Sequence, residues 1–377
     1  MCRHNKKILH GGNALKKNIA WIDTIRVLAS LLIIFAHFFM CDGFKPELVL
    51  HNISFDVAII GVFLFFAMSG YLIPGSLERS KSLCSFYKRK LVRIVMPFVV
   101  CYVVLSSAMI VLGIFNERIA GLVPLFQTIY GAKYFPLILG MFPVDLNVVI
   151  FLGFKFQWFV GEWFIGTLIW LYLLSPLLDK CARRAPILSL AVSVAISFAV
   201  YHAAFDLSLS GRIHSNWGLF PVRVPEFLLG IILFIYREKI LPYRRILLPL
   251  ITVYVAASLA YFVYNYPPGG AFFLVSNPEC FALTFPLIYW FFSVAELLNE
   301  HSSKILDWFN GFNGISYAAM LIQHVIIYAF QSAIKFEDLH SFGKVYMLFL
   351  ITWTIILASR PLKKCSDVVE NYLLKKS

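Results

Sequence analysis

The fold of this chain is decided by residues 19–40, IAWIDTIRVLASLLIIFAHFFM. The stretch is long and apolar enough to cross the ~30 Å hydrocarbon core of a bilayer as one helix, yet it contains Arg26 and His37. Eleven helical steps of about 100° place these two side chains on one face, about 16 Å apart along the axis. Ionisable groups inside a membrane helix are costly, so they usually face a protein interior or a wet cavity and serve a function. The stretch therefore predicts a transmembrane helix that carries part of a functional site.

The composition extends this prediction to the whole chain. Only 14% of the 377 residues are charged and 60% are hydrophobic, whereas a soluble domain is about 25% charged. We predict an all-α, polytopic membrane helical bundle of about 10 transmembrane helices, with one membrane domain over 19–359 between a basic segment at 1–18 and a basic tail at 360–377. The expected spans are 19–40, 57–75, 94–114, 158–178, 187–204, 219–236, 246–265, 280–298, 314–334 and 344–359.

The net charge of +13 raises the question of a nucleic-acid partner, which the positions of the basic residues answer. With the N-terminus in the cytoplasm, the cytoplasmic segments hold 25 of the 33 Lys and Arg residues. This asymmetry is typical of the positive-inside rule. The sequence predicts a multi-pass protein of the plasma (inner) membrane with both termini in the cytoplasm. Its expected partners include the lipid bilayer and no nucleic acid.

The seven cysteines stand singly along the chain. Without a C-x-x-C pair or a Cys/His cluster, neither a zinc site nor a disulfide framework is indicated. We expect no metal site and no permanently bound cofactor.

Residues 115–157 are apolar but interrupted by Pro124, Pro136 and Pro143. One additional span here would invert every later loop and remove the charge asymmetry. We therefore interpret this segment as an excursion at the outer face.

His37 is the first candidate for chemistry. A general base accepts a proton near neutral pH, and imidazole, with an unperturbed pKa near 6.5, suits that role. The alternative is an interior histidine that hydrogen-bonds to a neighbouring helix. The residue alone leaves both interpretations open.

Six sequence blocks, in this order, resemble the integral-membrane acyltransferase 3 family. They extend the resemblance from about residue 20 to residue 358. The blocks are DTIR at 23–26 followed by His37, GVFLFFAMSGYL at 61–72, FYKRKLVRIVMP at 86–97, WFIGTLIWLYLLSP at 163–176, RVPEFLLG at 223–230 and ISYAAMLIQH at 315–324.

The resemblance implies a function. Members of that family move acyl groups, usually acetyl, from cytoplasmic acyl-coenzyme A to hydroxyls of surface polysaccharides, lipopolysaccharide or lipid-linked precursors. The resemblance also implies that His37 is catalytic, and it supports a role for Arg26 near the acyl-CoA donor. Its partners are then acyl-CoA and a glycan or glycolipid acceptor. Asp23 is placed to pair with Arg26 at i,i+3.

A basic cluster precedes the third expected span. Arg89 and Arg93 are spaced i,i+4 on one helical face, and guanidinium groups suit the phosphates of coenzyme A. We predict that these two arginines bind the donor. For Lys88 and Lys90 we favour contact with anionic lipid.

Other polar residues inside the spans are candidates for lining the site. Ser69 precedes Gly70, and such small residues more often permit close helix packing than nucleophilic catalysis. Arg223 and Glu226 are spaced to neutralise each other, with a role along the acceptor path as the alternative. Tyr317 and His324 lie near one face and belong either to a buried polar network or to the site.

A rival hypothesis comes from another functional class. His37, Glu226 and His324 would suit a proton relay, which is typical of a proton-coupled secondary transporter or polysaccharide exporter. We favour the prediction of a membrane O-acyltransferase. Release of free coenzyme A only when an acceptor is present would distinguish it from the transporter.

Overall fold

Helices account for the regular structure throughout the residues that the structure describes. The computed structural model describes residues 20–40, 49–115, 160–210, 212, 216–264, 281–301, 303–334 and 336–375, and no strand occurs among them. The helices are α1 Ala20–Met40, α2 Val49–Tyr71, α3 Ile73–Glu78, α4 Leu83–Phe115, α5 Glu162–Arg184, α6 Pro186–Ala203, α7 Phe205–Leu209, α8 Val224–Ile235, α9 Arg237–Ile240, α10 Arg244–Tyr264, α11 Phe281–His301, α12 Ser303–Ala333 and α13 Ser341–Lys375. Three 3₁₀ turns occupy Phe220–Arg223, Leu241–Tyr243 and Phe336–Asp338.

Residues with restricted or permissive backbones mark several helix starts. Pro74, Pro186 and Pro225 lie in the first turns of α3, α6 and α8, where a missing backbone N–H breaks no helical hydrogen bond. Gly161 precedes α5 with φ of 81°, a left-handed conformation that glycine adopts without a steric penalty.

The prediction of an all-α membrane bundle is confirmed. Within the described part of the chain, nine helices are long and apolar enough to span a membrane. The sixth expected span, 219–236, instead consists of a 3₁₀ turn followed by the short helix α8. The change of helix type coincides with Arg223, which is fully buried. Residues 1–19 and 116–159 lie outside the described residues, and these include the predicted basic segment at 1–18 and nearly all of the predicted outer excursion.

The helices fall into a central and a peripheral group. α2 packs against α1 and α8, while α12 packs against α1 and α13. Their facing side chains form one continuous apolar core. By contrast, α6, α10 and the first half of α13 expose large hydrophobic side chains, as expected for surfaces that contact lipid tails. Examples are Ile187, Leu188, Ile246, Val253, Phe342 and Phe349.

A reciprocal glycine contact holds α2 against α8. A Cβ added at Gly70 would lie 1.9 Å from the carbonyl oxygen of Phe227, and one added at Gly230 would lie 1.9 Å from that of Ala67. Backbones can approach this closely only where side chains are absent. The close contact predicted at Ser69-Gly70 is therefore made by Gly70.

The last helix continues beyond the expected span. α13 begins at Ser341 and ends at Lys375 without interruption, so the tail expected at 360–377 is helical over nearly its whole length. α13 packs against α4, and Glu370 near its end interacts electrostatically with Arg93 of the basic cluster that precedes the third span.

Candidate functional site

A cavity of about 730 Å³ opens at one end of the bundle. Its size is in the range of small-molecule and cofactor sites. Residues of α1 to α5, α12 and α13 line it. We call this end the basic end, after the six cationic side chains that line the cavity: Arg26, Arg79, Arg89, Lys90, Arg93 and Lys363.

The cavity lining changes from charged to apolar with depth. Along α4, which enters the bundle from the basic end, Arg89 and Arg93 are followed by Pro97 and Cys101. From Arg89 to Cys101 the helix rises about 18 Å. Opposite this inner part, α2 and α5 contribute apolar side chains. These are Phe65, Met68, Phe164 and Leu168. The cavity therefore has a cationic mouth and an apolar inner end.

The predicted donor-binding arginines come together in this cavity. Arg26, Arg89 and Arg93 all line it. Arg26 also pairs with Asp23 at 2.8 Å, as the i,i+3 spacing predicted, and Arg89 donates a hydrogen bond of 2.5 Å to the Ser80 hydroxyl. The structure thus gathers the three residues, while their role in binding a donor remains a prediction.

Lys90 is placed differently from our expectation. We assigned it to anionic lipid, but its side chain lines the cavity and its ammonium group lies 5.3 Å from the centre of the Tyr172 ring. The physical reason is helical phase, because Lys90 and Arg93 are spaced i,i+3 and so project to one side of α4. The spacing was visible in the sequence, whereas the position of Tyr172 was not. Lys88 is not among the lining residues.

Two further predicted residues, Ser69 and Tyr317, line the cavity. Ser69 lines it together with Tyr172. Tyr317 donates a hydrogen bond of 3.2 Å to the carbonyl oxygen of Ile94. Both lie where helices meet at the cavity wall, and a role for Ser69 and Tyr317 in the site stays a prediction.

Sequence patterns did not identify the other lining residues of the cavity. Most of them lie in chain segments far from the first span, and helix packing alone brings them together. Sequence spacing carries no signal for such long-range neighbours. The polar ones are Ser76, Arg79, Tyr172, Lys363, Ser366 and Glu370.

His37 lies further along α1, beside a second histidine. Its Nδ1 is 2.8 Å from the carbonyl oxygen of Ile33. Because a carbonyl only accepts hydrogen bonds, Nδ1 carries the proton, and in the neutral ring the lone pair is on Nε2. The ring centre lies 3.8 Å from that of His324 on α12, at an interplanar angle of 66°.

His324 is held in a complementary way. The side-chain amide nitrogen of Gln323 lies 2.9 Å from Nδ1 of His324, and since an amide nitrogen donates, Nδ1 accepts. In the neutral ring the hydrogen is then on Nε2. The ring also stacks on Tyr328 with centroids 6.1 Å apart. One histidine of the pair thus offers an acceptor and the other a donor.

The histidine pair and the cavity are neighbouring but separate. Neither histidine is among the described residues that line the cavity. On α12, the lining residue Ala318 precedes His324 by six positions, which is about 9 Å along the axis. From the basic end towards the opposite end of the bundle, the cavity therefore comes first and the histidine pair follows.

Arg223 and Glu226 neutralise each other outside the cavity. Their closest atoms are 2.7 Å apart, and only 2% and 1% of the two side chains are exposed. The Arg223 Nε also donates to the carbonyl oxygen of Trp217 at 2.8 Å. The predicted ion pair is present, and neither residue lines the cavity.

The described residues contain no group of three His, Cys, Asp or Glu side chains arranged to hold a metal ion. The polar side chains of the cavity and of the histidine pair carry imidazole, guanidinium, ammonium, hydroxyl, thiol and carboxylate groups.

The comparison with known families identifies the class of protein. The family model described as an acyltransferase domain matches residues 19–359. The chain belongs to the acyltransferase 3 family. No curated protein and no solved structure matches it.

This acyltransferase is a multi-pass membrane protein, as its apolar helices and its family both indicate. Family membership favours the acyltransferase over the transporter that the sequence also allowed. The matched region contains the histidine pair and most of the cavity lining, but the residues that α13 contributes to the cavity follow its end.

Proposed function

We propose that this protein transfers an acyl group, usually acetyl, from cytoplasmic acyl-coenzyme A to a hydroxyl of a sugar acceptor. The observation that carries the proposal is the polarity of the cavity. Six cationic side chains lie towards its mouth and apolar side chains line its inner end. This pattern matches a donor with a polyanionic nucleotide at one end and an acyl thioester at the other.

The mouth of the cavity suits the phosphates of coenzyme A. The donor carries a pyrophosphate and a 3′-phosphate, and arginine forms bidentate hydrogen bonds with such groups. Among the described lining residues, Glu370 is the only carboxylate against the six cations. The excess positive charge favours a polyanion at this end and disfavours a free cation.

The orientation of the protein supports a cytoplasmic donor. Under the positive-inside rule, the ends of membrane helices that carry most Lys and Arg lie in the cytoplasm. The basic end then faces the cytoplasm, where acyl-coenzyme A is available. The histidine pair lies on the other side of the cavity and so closer to the outer face.

His37 is the proposed general base. Nε2 of His37 accepts the proton of the acceptor hydroxyl as its oxygen attacks the thioester carbonyl carbon. A carbon–oxygen bond forms, the carbon–sulfur bond breaks, and the proton passes to the departing thiolate. The products are the acylated sugar and free coenzyme A. In this step the Nε2–H of His324 donates a hydrogen bond to the neighbouring ring or to a reacting oxygen.

The reach of the donor agrees with this arrangement. Arg26 and His37 are about 16 Å apart along α1, which is comparable with an extended pantetheine arm. The thioester would extend about 9 Å beyond Ala318 to reach the level of His324. The side chains at the inner end of the cavity would therefore have to yield to the arm when the donor binds.

The acceptor is inferred from the family resemblance. The resemblance favours, as the acceptor, a sugar hydroxyl in a surface polysaccharide, lipopolysaccharide or lipid-linked precursor. Such an acceptor would approach the histidine pair from the outer side, opposite the basic end. This division keeps the two substrates on separate paths until their reacting atoms meet.

The test is acceptor-dependent thiol release. The full-length protein in lipid nanodiscs is mixed with acetyl-coenzyme A and with surface glycan extracted from a host that lacks the gene. We expect free coenzyme A to appear only with the glycan, and linkage analysis to find new ester groups on it. Flux of glycan or protons without thiol release would instead support the transporter hypothesis and contradict the proposal.

A further inference from the structure

The geometry points to a specificity element at the end of α13. We infer that residues 362–370 recognise the nucleotide of the acyl-CoA donor. They would thereby set a preference for complete coenzyme A thioesters over shorter thioesters. This inference rests on the proposed function, since it takes acyl-CoA to be the occupant of the cavity.

Four residues of this segment line the cavity. Leu362, Lys363, Ser366 and Glu370 are spaced so that they project from one face of a helix. Leu362 and Ser366 are only 6% and 1% exposed, and α13 packs against both α4 and α12. Residues 362–370 therefore form one wall of the cavity, which we call the α13 wall.

The wall stands at the cationic mouth. Glu370 interacts electrostatically with Arg93 on α4 and with Lys363 on its own helix. If the acyl group occupies the apolar inner end, the opposite end of the donor lies at this mouth. That end of coenzyme A is the adenosine with its 3′-phosphate.

The side chains of the wall suit a nucleotide better than a bare phosphate. Lys363 supplies a cation for a phosphate oxygen, although it also pairs with Asp367. Ser366 donates a hydrogen bond of 2.9 Å to the carboxylate of Glu370. A carboxylate accepts hydrogen bonds from amino and hydroxyl groups and repels phosphate. A lysine beside a carboxylate therefore discriminates a phosphorylated adenosine from simpler anions.

The segment lies outside the region that defines the family. The match to the acyltransferase domain ends at residue 359, and the lining residues of α13 begin at Leu362. The donor selectivity that we assign to this wall thus rests on residues that follow the matched region.

The experiment compares two donors with full-length variants in nanodiscs. Acetyl-coenzyme A contains the nucleotide and S-acetyl-pantetheine lacks it. We expect Lys363→Ala and Glu370→Gln each to raise KM for acetyl-coenzyme A by about tenfold, with kcat unchanged and with no change for S-acetyl-pantetheine. Lys364→Ala is the matched control, because Lys364 is exposed on the same helix and does not line the cavity. Lys364→Ala should leave the KM for both donors unchanged.

Equilibrium binding separates this inference from the proposed function. Binding of acetyl-coenzyme A is measured without an acceptor, in the wild-type protein and the same variants. Weaker binding in Lys363→Ala and Glu370→Gln, with unchanged thermal unfolding, supports the inference even if no turnover occurs. Equal effects on both donors, or none on either, would overturn it. Failure of the wild-type protein to bind acetyl-coenzyme A would overturn both proposals.

Discussion

The imidazole rings of His37 on α1 and His324 on α12 lie 3.8 Å apart between their centres. The two residues are far apart in the chain, and each ring is oriented by a separate hydrogen bond, to Ile33 and from Gln323. At this separation two imidazolium charges would repel each other strongly, so the arrangement favours at most one positively charged ring in the pair. One ring thus offers a proton acceptor and the other a hydrogen-bond donor, and this arrangement suits general-base catalysis.

The first prediction separates the roles of the two histidines. His37→Gln should lower kcat by about 100-fold or more, because a positioned base contributes about 10²–10⁴ to the rate. His324→Gln should lower kcat less, since glutamine keeps an N–H donor. The measurement is coenzyme A release under saturating donor. If the two residues act as a unit, the double variant should be little slower than His37→Gln alone. Additive losses would contradict a shared role.

The second prediction concerns the lysine that lines the cavity. Lys90→Ala should raise the KM for acetyl-coenzyme A by about tenfold, because it removes one charged contact to a phosphate. Lys88→Ala is the matched control, because Lys88 is two residues away on the same helix and does not line the cavity. Initial rates at varied donor concentration measure both. Equal effects of the two substitutions would favour a general surface charge.

The third prediction tests the path between the cavity and the histidine pair. Ala318 lines the basic cavity, whereas its neighbour Ala319 lines a separate apolar groove of about 570 Å³ formed by α1, α12 and α13. Ala318→Phe should lower acyl transfer by roughly tenfold or more, because the added ring displaces the donor arm from the reacting position. Ala319→Phe should have a much smaller effect. Thermal unfolding of both variants in detergent checks that the fold is intact. A path that avoids α12 would leave Ala318→Phe active.

The fourth prediction concerns the contact between α2 and α8. Gly70→Ala and Gly230→Ala should each lower the free energy of unfolding by about 1–3 kcal/mol, because the new methyl group would overlap a backbone carbonyl. Gly311→Ala is the control, since a Cβ there meets no neighbouring atom and alanine favours a helix by about 1 kcal/mol. Denaturation in mixed micelles distinguishes these outcomes. Stable variants at positions 70 and 230 would show that the helices can move apart without cost.

The fifth prediction concerns the buried ion pair of Arg223 and Glu226. Removing one partner, as in Glu226→Gln, should destabilise the protein by about 3–5 kcal/mol, because the other charge is left buried. The double variant Arg223→Met with Glu226→Leu should regain most of that stability. Thermal unfolding reports the stability, and acyl transfer by the double variant reports any further role. A stable but inactive double variant would support the alternative that the pair lines the acceptor path.

Much of the fold could be predicted from single segments. A transmembrane helix satisfies its own backbone hydrogen bonds, so length and hydropathy locate it without knowledge of its neighbours. The span predicted at 19–40 corresponds to α1 for this reason. The span predicted at 219–236 was less accurate, because its regular pattern did not reveal the 3₁₀ turn at Phe220–Arg223.

The candidate site was predictable where its residues share a helix. The i,i+3 pair of Asp23 and Arg26 and the common face of Arg89 and Arg93 follow from helical periodicity. The same periodicity applied to Lys90 and would have corrected its assignment to lipid. The rest of the wall could not be predicted, because Lys363 and Glu370 reach the cavity only through the packing of α13 against α4.

The sequence by itself determined that this protein is a helical membrane bundle with an arginine and a histidine on one face of its first span. Hydropathy and helical periodicity are local properties, and they suffice for that conclusion. Only the tertiary structure decided that His37 meets His324 and that four segments of the chain supply the cations of one cavity. These contacts depend on which helices pack together, and close-packed side-chain surfaces far apart in the chain select that arrangement.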